Sequence, residues 1–350
     1  MDTLTHALSG ALLARAVVPR ANVSATRRDC TLLGFFAAAF PDADVVFSLA
    51  SPLAYLYHHR GITHSILVLP LWALGLAWVW SRLRRNPAGF KAYLLVSAAA
   101  LAIHILGDVI TSFGTMVFAP LSDMRVQWDT TFIIDLWFSA IILAGLLVSV
   151  FFGTSRVPAI ASLLLLCGYV SFQWLQQQRA VDVGEQYAMQ RGLTGAKVSA
   201  LPRPVSPFNW MVVIAEQDRY HYAFVNLRRE SPVSAGPDAG FIRRLDSAYW
   251  PAQSARWQVA ARFGEGDERI LSEQAWQHAQ FAFFRWFSAY PVFAALERGN
   301  PADCVWFQDL RFLTPGRASW PFRYGMCRSA GDDWRAYQPG EAGQRIRLLQ

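Results

Sequence analysis

The first third of the sequence concentrates side chains that could bind a metal ion. Five of the seven histidines lie within residues 1–104, each near an acidic, basic or hydroxyl residue and bounded by apolar sequence. Imidazole and carboxylate groups are costly in lipid or in a dry protein core. We therefore interpret this concentration as a metal or catalytic site, carried by four short stretches: residues 2–6, 41–44, 58–65 and 104–108.

His104 and Asp108 lie four residues apart in an apolar stretch. On a helix this spacing places both side chains on one face, one turn apart. Gly107 between them would allow a neighbouring element to approach that face closely. The pair could bind one metal ion, or Asp108 could orient a histidine that binds it. The structural alternative is a hydrogen bond between two membrane helices.

His59 and His64 enclose a short polar stretch that contains Arg60 and Thr63. Thr63 could cap a helix that begins near residue 64, and two imidazoles at such a helix start can converge on a metal ion. Arg60 suits a phosphate or a carboxylate. The alternative is an interfacial cluster of histidine and arginine that meets lipid headgroups. We interpret the adjacent His58 as a bystander.

Asp42 and Asp44 lie two residues apart, directly after a proline. Paired carboxylates at a helix break commonly bind divalent ions or transfer protons, and a solvated loop is the alternative. His6 stands near the chain start, where a lone histidine carries little weight by itself. Asp129 is either a ligand or a helix cap, and Asp135 is interpreted as structural or as a residue that supports a ligand.

Together these residues form a donor set that suits zinc, with manganese or iron as alternatives, in an arrangement of about two or three metal ions. Water activated by the metal would be the nucleophile, with Asp42 or Asp44 as ligand or general base. Arg60 would stabilise developing negative charge. The sequence has no GxSxG, no P-loop and no GxGxxG after a strand, so a nucleophilic-serine mechanism and a nucleotide-binding fold lack support. The predicted metal ligands are His6, Asp42, Asp44, His59, His64, His104 and Asp108.

The elements that carry these residues are predicted to be membrane helices. A positive mean hydropathy, a hydrophobic fraction of 53% and a charged fraction of 16% are unusual for a soluble domain. Runs of about 20 apolar residues can cross a bilayer. We expect a membrane helical bundle with about four clear spans and two short or broken N-terminal helices. The clear spans are 92–111, 132–152, 157–175 and the slightly shorter 65–81, and the weaker segments are 4–18 and 31–50.

The basic residues favour a membrane orientation over nucleic-acid binding. The net charge is +7, but in the first half of the chain most arginines stand in short loops near residues 20–28, 82–91 and 156. If these loops are cytoplasmic, alternation of the spans brings the candidate site residues to the outer membrane face. The same alternation places the remainder of the chain outside. We expect no nucleic-acid partner.

The more polar second half predicts a small extramembrane α+β domain. We place the boundary between a membrane domain, 1–178, and this domain, 179–350. Cys304 and Cys327 could form a disulfide if the domain lies outside the cytoplasm, whereas Cys30 and Cys167 are interpreted as packing residues. The expected strands are 210–215, 220–227, 305–312 and 320–327, and the expected helical region, rich in aromatic residues, is 271–298.

The motifs also resemble a known family. The order is Met-Asp-x-x-Thr-His, Pro-Asp-x-Asp, His-Arg-Gly-x-Thr-His-Ser and His-x-x-x-Asp. It resembles the YdjM family of bacterial inner-membrane proteins, which are described as metal-dependent hydrolases. The resemblance covers residues 1–180, and the string at 59–65 is its most specific part. Asp129-Thr130 departs from an Asp-Pro pair that is frequent in the family. The family pattern falls on His6, Asp42, Asp44, His59, Arg60, His64, His104 and Asp108.

The resemblance implies a function for the site. The family is distantly similar to zinc-dependent phospholipase C and P1-type nucleases, which implies hydrolysis of a phosphoester. Placement in the bacterial inner membrane favours a lipid or lipid-linked substrate, with the C-terminal domain in the periplasm. Two alternatives come from the residues themselves: a transporter that handles metal ions or protons, and a membrane scaffold without catalysis. A transporter would spread its polar residues through the bilayer depth, whereas here they gather near one face.

Overall fold

The computed structural model describes residues 1–18, 25–153, 155–236, 238–299, 302–317, 320–329, 333–340 and 344–348. The chain divides into two compact units. The helical unit comprises Met1–Phe47 and His58–Leu175. The β-rich unit comprises Ser48–Tyr57 and Gln176–Gln350. The two units divide near residue 175, and the expected boundary lies after residue 178. Nothing in the sequence indicates that Ser48–Tyr57 belongs to the β-rich unit.

Helices dominate the first half of the chain, and short 3₁₀ helices interrupt them. Two of these 3₁₀ helices, Phe40–Leu49 and Ile62–His64, carry candidate site residues. The α-helices in chain order are α1 (Thr3–Val17), α2 (Arg27–Ala39), α3 (Pro52–His58), α4 (Leu69–Leu83), α5 (Phe90–Val109), α6 (Leu136–Phe151) and α7 (Val157–Arg191).

Side-chain caps fix where three of these helices begin. The carboxylate of Asp2 accepts a hydrogen bond from the backbone N–H of Thr5 at the start of α1. Thr26 accepts in the same way at the start of α2. Asp135 accepts two backbone N–H groups at the start of α6. Each cap satisfies donors that the first helical turn leaves without partners.

The apolar helices have membrane-spanning character. Among the described residues, three helical stretches are long and apolar enough to cross a membrane: Arg27–Leu49, Pro87–Val109 and Val157–Arg191. A bent pair, Pro52–His64 followed by Leu69–Leu83, would be a fourth span if its two arms, at 78°, act together. The chain is thus a membrane protein with about three candidate spans among the described residues.

The expected set of four clear spans is matched only in part. The predicted spans 92–111 and 157–175 overlap α5 and α7. The predicted span 132–152 gives only the 16-residue α6, because Asp135 caps its first turn and residues before it are not helical. The predicted span 65–81 overlaps the 15-residue α4, which is one arm of the bent pair.

The two weak N-terminal segments have different outcomes. Segment 4–18 forms α1, a helix of 15 residues that is short for a span, as expected. Segment 31–50 instead belongs to a candidate span. The reason is that α2 passes directly into the 3₁₀ helix Phe40–Leu49, so that Pro41 changes the helix type without ending the helical path.

Helices α1 and α2 pack closely through two glycines. A Cβ atom built at Gly10 or at Gly34 would collide with the backbone carbonyl of the other glycine. Small residues allow such close backbone approach between membrane helices. This contact fixes α1, which carries His6, beside α2, which leads to Asp42.

The second unit contains more β-structure than the expected small α+β domain. Its two sheets have five strands each, in the order β1-β2-β3-β4 with β5 also paired to β3, and β10-β9-β8-β7-β6. All pairings are antiparallel except β3 with β4. The strands are β1 (Lys197–Pro202), β2 (Asn209–Glu216), β3 (Arg219–Asn226), β4 (Trp250–Pro251), β5 (Gln258–Ala261), β6 (Pro291–Glu297), β7 (Asp303–Asp309), β8 (Tyr324–Arg328), β9 (Arg335–Pro339) and β10 (Arg345–Arg347).

The expected strands overlap β2, β3, β7 and β8, but the expected helical region 271–298 is too long. It is divided into the end of α9 (Asp267–Gln277), then α10 (Ala282–Phe287), and finally strand β6; the unit also contains α8 (Phe241–Ser247). Pro291 lacks the N–H that a helix interior requires, and β6 finds its hydrogen-bond partners in β7. Cys304 and Cys327 stand opposite each other on β7 and β8 and form a disulfide.

Candidate metal centre

Four residues from three elements converge in the helical unit. Asp42 lies on the 3₁₀ helix after α2, His64 ends the 3₁₀ helix Ile62–His64, and His104 and Asp108 lie on α5. Each offers one ligand atom, and these atoms all lie within 4.8 Å of one another. We call these residues the four-residue cluster. Three of them are fully buried, and only Asp42 keeps some exposure to solvent.

The distances within the cluster suit one metal ion. The Nε2 atoms of His64 and His104 are 2.9 Å apart. Asp108 Oδ2 lies 3.1 and 3.7 Å from these two nitrogens, and Asp42 Oδ1 lies 3.8 and 3.7 Å from them. A tetrahedral metal with bonds near 2.0 Å separates its ligand atoms by about 3.3 Å. The observed distances lie on both sides of that value.

Hydrogen bonds assign the protons of the two histidines. His104 Nδ1 lies 2.6 Å from the backbone carbonyl of Ala38, which can only accept, so Nδ1 carries the proton. His64 Nδ1 lies 2.9 Å from the Thr63 hydroxyl, which donates its own proton to Asp44 and therefore accepts from His64. In the neutral rings both Nε2 atoms then present lone pairs, as metal-binding histidines do.

Two carboxylate oxygens reinforce this arrangement. Among the described residues, Asp42 Oδ2 and Asp108 Oδ2 are buried and accept no hydrogen bond. Lone pairs of two nitrogens and of carboxylate oxygens thus meet in a small buried space. They repel one another unless a cation or protons lie between them. The donor set, two imidazoles and two carboxylates, is one that divalent metals bind. The cluster could therefore hold a metal ion.

Asp44, another predicted ligand, lies outside the four-residue cluster. Its Oδ1 accepts a hydrogen bond from His59 Nδ1 at 2.8 Å. Its Oδ2 accepts from the backbone N–H of Arg60 at 2.9 Å and from the Thr63 hydroxyl at 3.1 Å. The carboxylate therefore binds the loop that precedes His64 and orients that histidine through Thr63. This use of Thr63 replaces its expected role as a helix cap, since the next α-helix, α4, begins only at Leu69.

His6 and His59 lie next to the cluster without being members of it. His6 Nε2 donates to Asp108 Oδ1 at 3.0 Å, and its ring stacks on His104 with centroids 3.8 Å apart. His59 contacts the cluster indirectly through Asp44. The close approach expected at Gly107 is confirmed, because a Cβ atom there would lie 3.0 Å from the His6 ring.

Arg60 forms a buried ion pair with Asp108 of the cluster through its guanidinium. Its side chain is 2% exposed, and Nη2 lies 2.9 Å from Asp108 Oδ1 while Nη1 donates to the Thr111 hydroxyl at 3.0 Å. The guanidinium also stacks over the Phe113 ring, 4.9 Å from its centroid. Arg60 has a backbone φ of 59°, a conformation that residues other than glycine seldom adopt. The positive charge offsets the buried carboxylate of Asp108.

The other polar candidates lie outside the cluster. Asp135 caps α6 and accepts hydrogen bonds from Tyr169 and Gln173, which is a structural role, as expected. Asp129 accepts from Gln127 and is not a member of the cluster. His58 packs against Phe47, with ring centroids 4.6 Å apart.

Three contacts of the site have no signal in the sequence. The α-amino group of Met1 forms an ion pair with Asp108. The carbonyl of Ala38 fixes the tautomer of His104, and Phe113 packs against both Arg60 and His59. Backbone groups occur at every residue, so their partners follow only from the packing of the helices.

Comparison with known proteins agrees with these motifs. The model of the YdjM inner membrane protein family matches residues 1–180. The uncharacterized protein YfhP of Bacillus subtilis is 24% identical over 182 residues, which are 51% of this chain and 55% of that protein. The chain therefore spans about half the length of this relative. No solved structure matches the chain. The family match contains the whole four-residue cluster, and the chain belongs to the YdjM inner membrane protein family.

Proposed function

We propose that this protein is a membrane-embedded, metal-dependent hydrolase. The observation that carries the proposal is the pair of His64 and His104 Nε2 atoms, 2.9 Å apart, beside the carboxylates of Asp42 and Asp108. Zinc suits this donor set best, and manganese or iron are alternatives. A bound metal would polarise an ester oxygen and lower the pKa of a coordinated water.

The surrounding residues have distinct proposed roles. Asp42 is the one cluster member with access to solvent, which suits a ligand that also accepts a proton from water. Asp44 and His59 position the loop that carries His64. Arg60 holds Asp108, and its Nε–H has no acceptor among the described residues. That free N–H supports its predicted part in stabilising negative charge. His6 donates a hydrogen bond to the same Asp108 oxygen.

The substrate we propose is a phosphoester, either a lipid or a lipid-linked molecule, at the outer face of the bacterial inner membrane. The resemblance of the motifs to a family that is distantly similar to phosphoester hydrolases implies the ester type, and the span-length helices favour a membrane substrate. The periplasmic placement of the β-rich unit is supported by its Cys304–Cys327 disulfide, because disulfides persist in oxidising compartments.

Metal content and turnover test this function together. The protein would be purified in detergent without chelators, and bound metals would be measured by plasma mass spectrometry beside a His64→Ala/His104→Ala variant. His221→Ala, a histidine of the β-rich unit, is the matched control. We expect close to stoichiometric metal in the wild type and control, none in the double variant, and metal-dependent cleavage of phosphoesters.

Two outcomes would contradict the proposal. If the folded wild type contains no metal, even after reconstitution with metal, the proposed metal site is wrong. Bound metal without turnover of any soluble or lipid phosphoester would favour the metal-handling transporter. In that case metal uptake into proteoliposomes, with and without a proton gradient, would be the next measurement.

A further inference from the structure

A large apolar groove lies beside the four-residue cluster within the helical unit. It has a volume of about 670 Å³ and is bounded by α1, α5, α6 and α7. Its inner wall is buried and includes His6, Gly107 and Leu166. Aliphatic and aromatic side chains form most of the rest of the lining. We call this space the α5–α7 groove.

The groove opens on the apolar outer surface of two candidate spans. Ala102 and Leu106 on α5 and Cys167 on α7 line it and are exposed, Leu106 to 50%. Apolar cavities do not retain ordered water. In a bilayer, the molecules that surround α5 and α7 are hydrocarbon chains, which can enter such an opening sideways.

The inner wall of the groove is continuous with the candidate metal centre. His6 lines the groove, and the same ring stacks on His104 and donates to Asp108 at 3.0 Å. A lipid with its chain in the groove and its polar head near His6 would therefore be separated from the cluster only by the His6 ring. An apolar chain site next to a polar reaction site is the arrangement that an amphiphilic substrate requires.

We propose that the α5–α7 groove binds one hydrocarbon chain of a membrane lipid, with the polar head of that lipid on the His6 side. The proposed hydrolase function is needed only to call this lipid the substrate. Binding of the chain rests on the groove itself. The occupant is thereby specified as an amphiphile with a long chain, and water-soluble phosphoesters would be poor substrates by comparison.

Photocrosslinking tests chain binding without any reference to hydrolysis. The full-length protein would be placed in lipid nanodiscs that contain phosphatidylglycerol with a diazirine in one acyl chain, and the labelled residues would be mapped by mass spectrometry. We expect labelling concentrated on the groove-lining residues of α5 and α7. Ala102→Trp should reduce it about tenfold, because an indole fills the space of the chain. Leu164→Trp, on α7 and 67% exposed but outside the lining, is the matched control.

The outcomes separate this inference from the proposed function. Equal labelling of all outward-facing residues of α5 and α7, unchanged by Ala102→Trp, would mean ordinary surrounding lipid and would overturn the inference. Groove labelling in a protein that hydrolyses nothing would support the chain site while the hydrolase proposal fails. If the protein is active, Ala102→Trp should lower the ratio of long-chain to short-chain phosphoester turnover, and an unchanged ratio would show that the bound chain is not that of the substrate. A thermal unfolding midpoint in detergent equal to that of the wild type verifies the fold of Ala102→Trp.

Discussion

At the scale of single residues, the site depends on groups that fix the direction of other groups. The Ala38 carbonyl and the Thr63 hydroxyl each hold one Nδ1–H, so His64 and His104 present their Nε2 lone pairs to the same point. Asp44 acts on His64 indirectly, because it accepts a hydrogen bond from the Thr63 hydroxyl. Such supporting hydrogen bonds reduce the freedom of a ligand before the metal arrives.

Asp44→Asn should weaken metal binding without removing it. The amide cannot accept hydrogen bonds on both of its terminal atoms, so at least one of the contacts from His59, Arg60 or Thr63 is lost. We expect a fall in metal affinity of about 10- to 100-fold, measured by competition with a fluorescent chelator. Asp129→Asn is the control and should bind as the wild type does. Equal losses in both variants would contradict a positioning role for Asp44.

Arg60→Met should destabilise the metal-free protein. It leaves Oδ1 of the buried Asp108 carboxylate with the Met1 amino group and His6 but without the guanidinium, and breaking a buried ion pair costs up to about 3–5 kcal/mol. Arg84→Met, which breaks the more exposed pair with Asp29, should cost about 1 kcal/mol at most. Thermal unfolding in detergent would compare the two. If Arg60→Met unfolds at the temperature of Arg84→Met, Asp108 does not depend on Arg60.

At the scale of elements, the packing of α1 against α2 determines the position of two different parts of the site. The Gly10–Gly34 contact brings these backbones together. On one side of it, α1 presents His6 to Asp108. On the other side, α2 presents the Ala38 carbonyl to His104 and continues to Asp42. A change far from any ligand can therefore displace several ligands at once.

Gly34→Leu tests this dependence. The added side chain has no room against α1, so the two helices must separate. We expect loss of most of the bound metal, read by plasma mass spectrometry on protein that still elutes as a monodisperse species. Gly168→Leu, at a glycine of α7 with open space around it, should keep its metal. Full metal content in both variants would show that metal binding does not depend on the α1–α2 contact.

At the scale of the whole molecule, the chain combines two units with different means of stabilisation. The helical unit has long apolar helices and contains the candidate metal centre. The β-rich unit has two sheets and a disulfide between β7 and β8. A metal ion would stabilise the first unit by binding its folded state, whereas the disulfide constrains the second.

Removing the disulfide should affect only the β-rich unit. The two cysteines are 23 residues apart in sequence, and closing a loop of this size contributes about 3 kcal/mol. Cys304→Ala/Cys327→Ala should therefore lower the unfolding midpoint of the β-rich unit, followed by tryptophan fluorescence, while metal content stays constant. An unchanged midpoint would mean that the bond is absent or without effect, and mass spectrometry with and without reductant distinguishes these cases.

The proposed orientation can be measured on intact cells. In a background with Cys30 and Cys167 replaced by alanine, Val259→Cys reports on an exposed residue of β5 and Arg84→Cys on the loop after α4. A membrane-impermeant maleimide should label Val259→Cys in intact cells, and Arg84→Cys only after permeabilisation. The opposite pattern would place the β-rich unit in the cytoplasm.

The sequence by itself determined the chemistry that is available and the local spacing of the groups. The four-residue interval between His104 and Asp108 places both on one face of α5, and Gly107 leaves room for His6, because helical geometry is local. The motifs also indicated the family, which the family match confirms. Helix type and length were predicted less well. Asp135 caps α6, for example, so the helix is shorter than the predicted span 132–152.

Only the tertiary structure decided which of the predicted ligands meet. Asp42 and Asp44 are two residues apart, yet one carboxylate enters the four-residue cluster and the other binds the loop before His64. His64 and His104 are 40 residues apart and meet through packing of several elements. The physical reason is that local sequence sets the direction of a side chain along its own element. The place where two elements cross depends on contacts such as Gly10–Gly34, which no single segment specifies.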